Sequence, residues 1–348
     1  MSTKNNISNI LNWEYWPTSM FYIPNIPFAL YHAMKARHLV FFTAVNPSIE
    51  NSGIGTESKF QTLNLIPEKY LPKTVFHKAN SKLEVTLTKI QQEAILYPLI
   101  AKPDIGFKGL LVKKIASEKE LIAYLEKYPI DLIIQEFLTE SNECGIFYHR
   151  LPNEEKGKIT SITLKEFLHI VGDGKHTLKE LILLDKRAKN YYELLQNNLP
   201  IPLDTILDTK EKIKLSDIGN HCKGTQFING NHLISKKLES VLDNLNKQVD
   251  GWFYGRLDIK YNSFEDLEND HFKILELNGI LAEPTHIYDA EKMTYFQALR
   301  EIRTHWKQLY KIARINHDVN KIPYRSTFGL IKEVNELKKY TKNISKLS

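Results

Sequence analysis

The chain has 348 residues, 42% hydrophobic and 25% charged, the composition of an ordinary globular protein with room for two or three lobes. Its formal charge of +6, from 47 basic against 41 acidic residues, is spread without the long Lys/Arg runs of a nucleic-acid arm, so small anionic ligands are expected and nucleic acid is not. Only Cys144 and Cys222 occur, which speaks against a disulfide framework or structural zinc. The opening residues lack a signal-peptide pattern and the apolar run 39–45 is too short to span a bilayer, so a cytoplasmic protein without a membrane partner is expected.

Residues 1–80 are dense in aromatic residues and proline, among them Trp13, Tyr15, Trp16, Pro17 and Tyr22. A helix over 28–37 and a strand over 39–44 are expected there. The loop that follows, NPSIENSGIGTESK, carries Gly53 and Gly55, which suit an anion cradle or an ordinary surface loop equally. In LYPLIAKPDIGFKGLLVKKI, apolar runs at 99–102 and 110–115 predict a β-hairpin whose flexible tip holds Gly106 and Gly109. Ser117 and Glu120 have capping-box spacing ahead of a helix with Leu121, Ile122 and Leu125 on its apolar side, and DLIIQEF reads as the next strand, 131–137. CGIFYHR and KITSITL alternate like antiparallel strands. In VGDGKHTLKELI, Thr177 and Glu180 place GDGK in the turn entering a helix, where phosphate can bind. It is not a Walker loop, because His169 and His176 stand where glycine and Ser/Thr are needed.

FYGRLDIKY and FKILELNG carry the strongest pattern. Alternation puts Arg256, Asp258 and Lys260 on one strand face, with Leu257, Ile259 and Tyr261 on the other; Glu276 and Asn278 are expected to share a face with Ile274. If the strands pair, carboxylate and amide oxygens converge as a hard cation requires, beside a guanidinium able to fork onto a phosphoryl group. A solvated strand face would carry the same letters. After it, Phe296, Leu299, Ile302, Trp306, Leu309 and Ala313 recur at helical spacing, predicting a packed helix.

The ordered series IAKPDIGFKG, IIQEFLTESNE, VGDGKHTLKELI, GRLDIKY and ILELNG resembles the ATP-grasp superfamily, in particular D-alanine–D-alanine ligase-like carboxylate–amine ligases, with a GDG segment similar to cyanophycin-synthetase-type ligases. The resemblance implies an α+β, ATP-grasp fold: two α+β lobes gripping ATP, with an additional N-terminal α/β lobe. The expected division is 1–80 for the N-terminal lobe, 81–138 for the small lobe, 139–320 for the large lobe with the magnesium site, and 321–348 for a helical tail. It further implies ATP and Mg2+ as cofactors, Lys102 on the phosphates, Gly106 and Gly109 in the covering loop, Gln135, Glu136, Phe137 and Leu138 at the adenine hinge, and Glu143 on the ribose. Asp258, Glu276 and Asn278 match the magnesium ligands and Arg256 the catalytic arginine, with Lys175 a further catalytic candidate. Arg187, His221 and His286 are candidates for substrate contact, the histidines equally for packing. The implied reaction joins a carboxylate to an amine through an acyl phosphate, releasing ADP and phosphate. A phosphotransferase acting on a small carboxylate and an ATP-binding regulator are the alternatives. The chain lacks the GG-x-S-x-E stretch with which cell-wall dipeptide ligases bind their first alanine, so small-molecule or peptide substrates of another kind are expected; a homodimer is one open possibility.

Overall fold

The computed structural model describes residues 13–106, 109–196, 199 and 201–347. Its strands in chain order are β1 (Thr74–His77), β2 (Leu99–Pro103), β3 (Lys113–Ile115), β4 (Leu132–Glu136), β5 (Asn142–His149), β6 (Lys158–Glu166), β7 (His169–Val171), β8 (Lys212–Lys214), β9 (Gln226–Asn229), β10 (Tyr254–Tyr261) and β11 (Lys273–Asn278). They form two principal antiparallel sheets. The smaller has the order β1-β4-β2-β3 and the larger β11-β10-β5-β6-β9, while β7 and β8 make a separate pair. This is the two-lobe α+β arrangement expected from the sequence.

In the small lobe the helices Leu83–Gln92 and Glu118–Lys127 bury Ile90, Leu121 and Leu125 against Leu99, Ala101, Leu132 and Ile134 of the sheet. The helix at 118 starts where Ser117 Oγ accepts from the Glu120 amide; the Glu120 carboxylate reaches back to the Ala116 amide. The predicted hairpin is β2 against β3, with Leu99 opposite Ile115.

In the large lobe, the helices Lys236–Asn246 and Phe264–Glu268 cover one face of the sheet, packing Leu238, Leu242, Leu245 and Leu267 on Ile146, Ile162, Leu257 and Ile259. On the opposite face, Phe147 and Tyr254 are covered by Leu309, Ile312 and Ala313 of the long helix Tyr295–Asp318 and by Phe41. That helix buries Leu299, Ile302, Leu309 and Ala313 as its periodicity predicts, but Phe296, expected in the core, is 78% exposed.

The N-terminal segment departs from expectation. Residues 39–44, predicted as a strand, hold a 3-10 helix, Phe41–Ala44, with Phe41 and Ala44 buried. Its first strand is β1, which pairs with β4 and so joins the small-lobe sheet ahead of residue 81. The helix Ile26–Ala36 instead packs Ala33 and Ala36 into the cluster around Leu309 and Ile312. The terminal helix Thr327–Ser345 is tied back to this segment by Glu333, which accepts from Asn51 and pairs with Arg325.

Candidate active site

Between the sheets lies a cleft of about 790 Å³ lined by both lobes and by the N-terminal segment. Its floor is one face of the large sheet. Register sets Asp258 opposite Glu276 and Arg256 opposite Asn278, so the four residues predicted to act together lie on two paired strands. Between those pairs and Ile259–Ile274 the register shifts, and Leu275 is the extra residue. This bulge corrects the strict alternation expected of β11: Ile274 turns into the core beneath the sheet, while Leu275, Glu276 and Asn278 line the cleft.

Arg256 forks onto Asp258, its Nε donating to Oδ1 at 3.2 Å and Nη2 to Oδ2 at 3.1 Å. Gly145, across the sheet on β5, makes room for this pair: a Cβ there would stand 3.0 Å from Arg256 Cδ and 3.3 Å from Asp258 Oδ1. Asn278 Nδ2 donates to Asp258 Oδ2 at 3.1 Å. A residue that the sequence reading missed, Lys165 on β6, completes the cluster. Its Nζ lies 2.6 Å from Glu143 Oε1 and 3.1 Å from Asp258 Oδ1, and the side chain is 6% exposed. Burial alone would push the Lys165 pKa down, but Asp258 and Glu143 more than offset it and keep the ammonium charged. Burial likewise raises the Asp258 pKa, and Arg256 and Lys165 reverse that to hold the carboxylate ionised.

From the small lobe, Lys102 on β2 reaches across the cleft, donating to Gln135 Oε1 at 3.1 Å and to Leu275 O at 3.2 Å. Burial pulls its pKa below the ordinary lysine value, against the opposing field of Glu276. Gln135, Glu136, Phe137 and Leu138, from the end of β4 onward, also line the cleft. The Gln135 side chain is committed, since Nε2 donates to Thr74 Oγ1. Gly106 and Gly109 line the mouth, and Gly109, with φ +70°, leans on Ile218 and Asn220 of the large lobe. Glu143 lines the cleft too, but it is buried in its ion pair and covered by Gly219.

The N-terminal loop, which the sequence left undecided between anion cradle and surface loop, enters this site. Asn46 accepts from the amides of Phe253 and Tyr254 and donates to the carbonyls of Ser52 and Tyr254. Ile280 and Leu281 donate their amides to Ser52 O and Gly53 O, zipping the loop to the segment just after β11. Gly53, Gly55, Glu57 and Lys59 thereby line the cleft, and Lys59 Nζ lies 3.4 Å from Glu276 Oε1 and 2.7 Å from Gly106 O.

Other candidates fall elsewhere. Lys175 lies outside the cleft. The amides of Lys175 and His176 that would hold a phosphate already donate to Asp173 Oδ1, which pulls the Asp173 pKa down, and Oδ2 pairs with His176. His286 also points away from the cleft, into the interior: its Nδ1 meets Ser161 Oγ at 2.7 Å, and burial lowers its pKa to about 4. Arg187 is not among the residues that line the cleft. It donates to Gly224 O, Thr225 O and Glu14 Oε1, and the same carboxylate oxygen meets His221 Nε2 at 3.0 Å. His221 and Glu14 line the cleft, with Tyr288 stacked on the His221 ring.

Among the described residues no group of three or more His, Cys, Asp or Glu side chains converges on a metal position. Magnesium asks for less, since one or two carboxylates suffice when phosphates and water complete its octahedron. Asp258, Glu276 and the free Asn278 oxygen fit that need, and the ammonium groups of Lys59 and Lys165 sit against the same carboxylates. No described helix is long and apolar enough to cross a membrane.

No family model matches the chain, and no curated protein matches it. Among solved structures it is similar to the VanG D-Ala:D-Ser ligase from Enterococcus faecalis, at 13% identity and a TM-score of 0.43, over 76% of this chain and 64% of that one. It is also similar to D-alanine–D-alanine ligase from Bacillus anthracis, at 14% identity and 0.42, over 76% and 71%. A bifunctional glutathione synthetase from Pasteurella multocida matches at 16% identity and 0.34, over 63% of this chain and 32% of that one. The chain therefore spans less than two thirds of the first of these proteins.

Proposed function

We propose that the chain is an ATP-grasp carboxylate–amine ligase, using ATP and magnesium to form an amide bond through an acyl phosphate and releasing ADP and phosphate. The observation that carries this reading is the meeting of Lys102, Lys165 and Arg256 with Asp258, Glu276 and Asn278 in one cleft between two lobes. Three cations in a half-buried site suit a polyphosphate, and two carboxylates with an amide oxygen suit the cation that accompanies it. Magnesium, when bound, supplies neutralisation of charge on the phosphates.

The chain's own residues then divide the work. Lys102 and Lys165 approach from opposite lobes to hold phosphoryl oxygens. Phe137 and Leu138, following β4, face the base. Arg256, fixed by its fork to Asp258, steadies the phosphoryl group as the substrate carboxylate attacks it, and afterwards the carbonyl oxygen as the amine attacks the acyl carbon. The glycine loop of Gly106 and Gly109, resting on the 218–220 segment, keeps out the water that would hydrolyse the acyl phosphate. Lys59 joins that loop to Glu276, so closure of the loop and order at the metal site are linked through one side chain.

The test is a matrix of carboxylates and amines scored for phosphate release and product mass, repeated with hydroxylamine in place of the amine. A hydroxamate made with ADP is the expected product, and Glu276→Gln should lower its rate far more than it lowers ATP affinity. Release of AMP and pyrophosphate would mean an acyl adenylate and overturn the central step.

A further inference from the structure

Beyond the phosphate-binding end, the cleft continues past Arg256 into a chamber whose walls carry Tyr15, Trp16, Phe227 and Tyr288. Glu283 projects its carboxylate there. Tyr288 donates its hydroxyl to Glu283 Oε2 at 2.9 Å, and burial, with the carboxylate's field, raises the pKa of the nearby Tyr22. Several other carboxylates of the cleft are matched to cations: Glu14 to Arg187 and His221, Asp258 to Arg256 and Lys165, Glu143 to Lys165. Glu283 forms no ion pair among the described residues, although Arg256 is its immediate neighbour. Arg256 Nη1 instead donates to the Glu283 carbonyl oxygen at 3.1 Å.

A half-buried carboxylate, oriented by a phenol and held in no ion pair of its own, is a receptor for a cation. An ammonium group placed on Glu283 would lie beside Arg256, whose Nη1 already reaches the Glu283 carbonyl oxygen, and it becomes the nucleophile once it gives up a proton to the Glu283 carboxylate. Aromatic faces around it add favourable contact for a cation. We infer that Glu283, set by Tyr288, is the docking point for the ammonium of the amine substrate, and that this substrate is a primary amine carried on a group able to lie among aromatic rings. The inference rests on the ligase reading for the identity of the guest, and on Glu283 alone for the site.

The experiment titrates the full chain, holding Mg-ADP, with benzylammonium chloride by calorimetry, and with benzyl alcohol as the uncharged match in shape. Benzylammonium is expected to bind and benzyl alcohol not. Glu283→Gln should weaken the ammonium about ten- to a hundredfold, the loss of one charge-assisted contact, while leaving Mg-ADP affinity unchanged. Glu283→Asp, which keeps the charge one methylene back, should fall between, and Tyr288→Phe should weaken binding with the carboxylate intact; these two serve if the glutamine variant fails to fold. No binding of benzylammonium, equal binding of the alcohol, or unchanged affinity in the Glu283 variants overturns the inference. If Mg-ADP itself does not bind, the ligase reading falls, and the same titration without nucleotide still decides whether Glu283 receives an ammonium.

Discussion

Lys165 shows how much of the site's electrostatics rests on one side chain that was not read from the sequence. It pairs with both Glu143 and Asp258 from a position 6% exposed, so Lys165→Met strands the buried Glu143 and leaves Asp258 to Arg256 alone. Removing one partner of a buried ion pair costs roughly 3–5 kcal/mol, and a comparable loss of stability is expected here. Magnesium should restore part of it, because a divalent cation at Asp258 does the same electrostatic work. The measurement is melting temperature with and without magnesium chloride: the variant should gain more than the wild type, and an equal gain would separate Lys165 from the metal-binding carboxylates. The four residues Arg256, Asp258, Glu276 and Asn278 were legible because two nearby strands with alternating chemistry pair Asp258 with Glu276 and Arg256 with Asn278, all on one side of the bulge. Lys165 was not, because its meaning depends on β6 pairing β5 and β5 pairing β10, two contacts that a single strand's alternation does not contain. Alternation does offer a signal: Ile162 and Leu164 face the core, which puts Thr163 and Lys165 on the cleft side.

Among the elements, the loop from Asn46 to Lys59 decides whether the N-terminal segment belongs to the site. At one point it meets the segment after β11 glycine on glycine. At Gly53, φ is +84°, and an added Cβ would stand 2.6 Å from Gly279 Cα, in backbone that cannot move without displacing Asn278. Gly53→Ala therefore meets both strain and collision, and a loss of about 1–3 kcal/mol is expected, with weaker Mg-ADP binding because Lys59 and Asn278 are disturbed together. Gly329→Ala is the control. In the helix Thr327–Ser345 its Cβ would meet nothing closer than Ser326 Cβ at 3.5 Å, and alanine favours a helix over glycine by about 1 kcal/mol. Melting curves and Mg-ADP titrations of the two variants should diverge in sign, and a Gly53→Ala protein as stable and as avid as wild type would count against the loop's part in the site. Local pattern gave the small-lobe hairpin, the helix caps and β4–β6, but it misread 39–44. A short apolar run such as LVFFTA has no periodicity to separate strand from helix, and tertiary packing of Phe41 against the long helix settles it as 3-10. The bulge at Leu275 was hidden for a similar reason, since one extra residue leaves the composition of a strand unchanged.

At the scale of the whole molecule, three of the buried histidines meet at one junction and should make stability depend on pH. His149, His286 and His305 lie between the large sheet, the 285–288 turn and the long helix Tyr295–Asp318, the junction that holds the N-terminal segment in place. His305 meets the Tyr254 hydroxyl at 2.8 Å and sets its ring edge against Phe147, while its Nε2 has no hydrogen-bond partner. Burial pulls all three pKa values down, to about 4 for His149 and His286 and about 3 for His305, where the other two also repel a charge. An unfolded histidine titrates near 6.5, so between about pH 6.5 and 4 the unfolded chain binds protons that the folded chain refuses. Their contribution to stability is thus complete above about pH 6.5 and is lost as the pH falls toward 4. Asp258, held below the ordinary carboxylate range, adds its own loss only at still lower pH, so the two windows are separable. Melting temperature measured from pH 7.5 to 4 should fall steeply below 6.5, and His305→Phe, though less stable at neutral pH for want of the Tyr254 bond, should show a flatter fall. A variant that loses stability in parallel with the wild type across that range would mean the histidines are not what proton uptake acts upon.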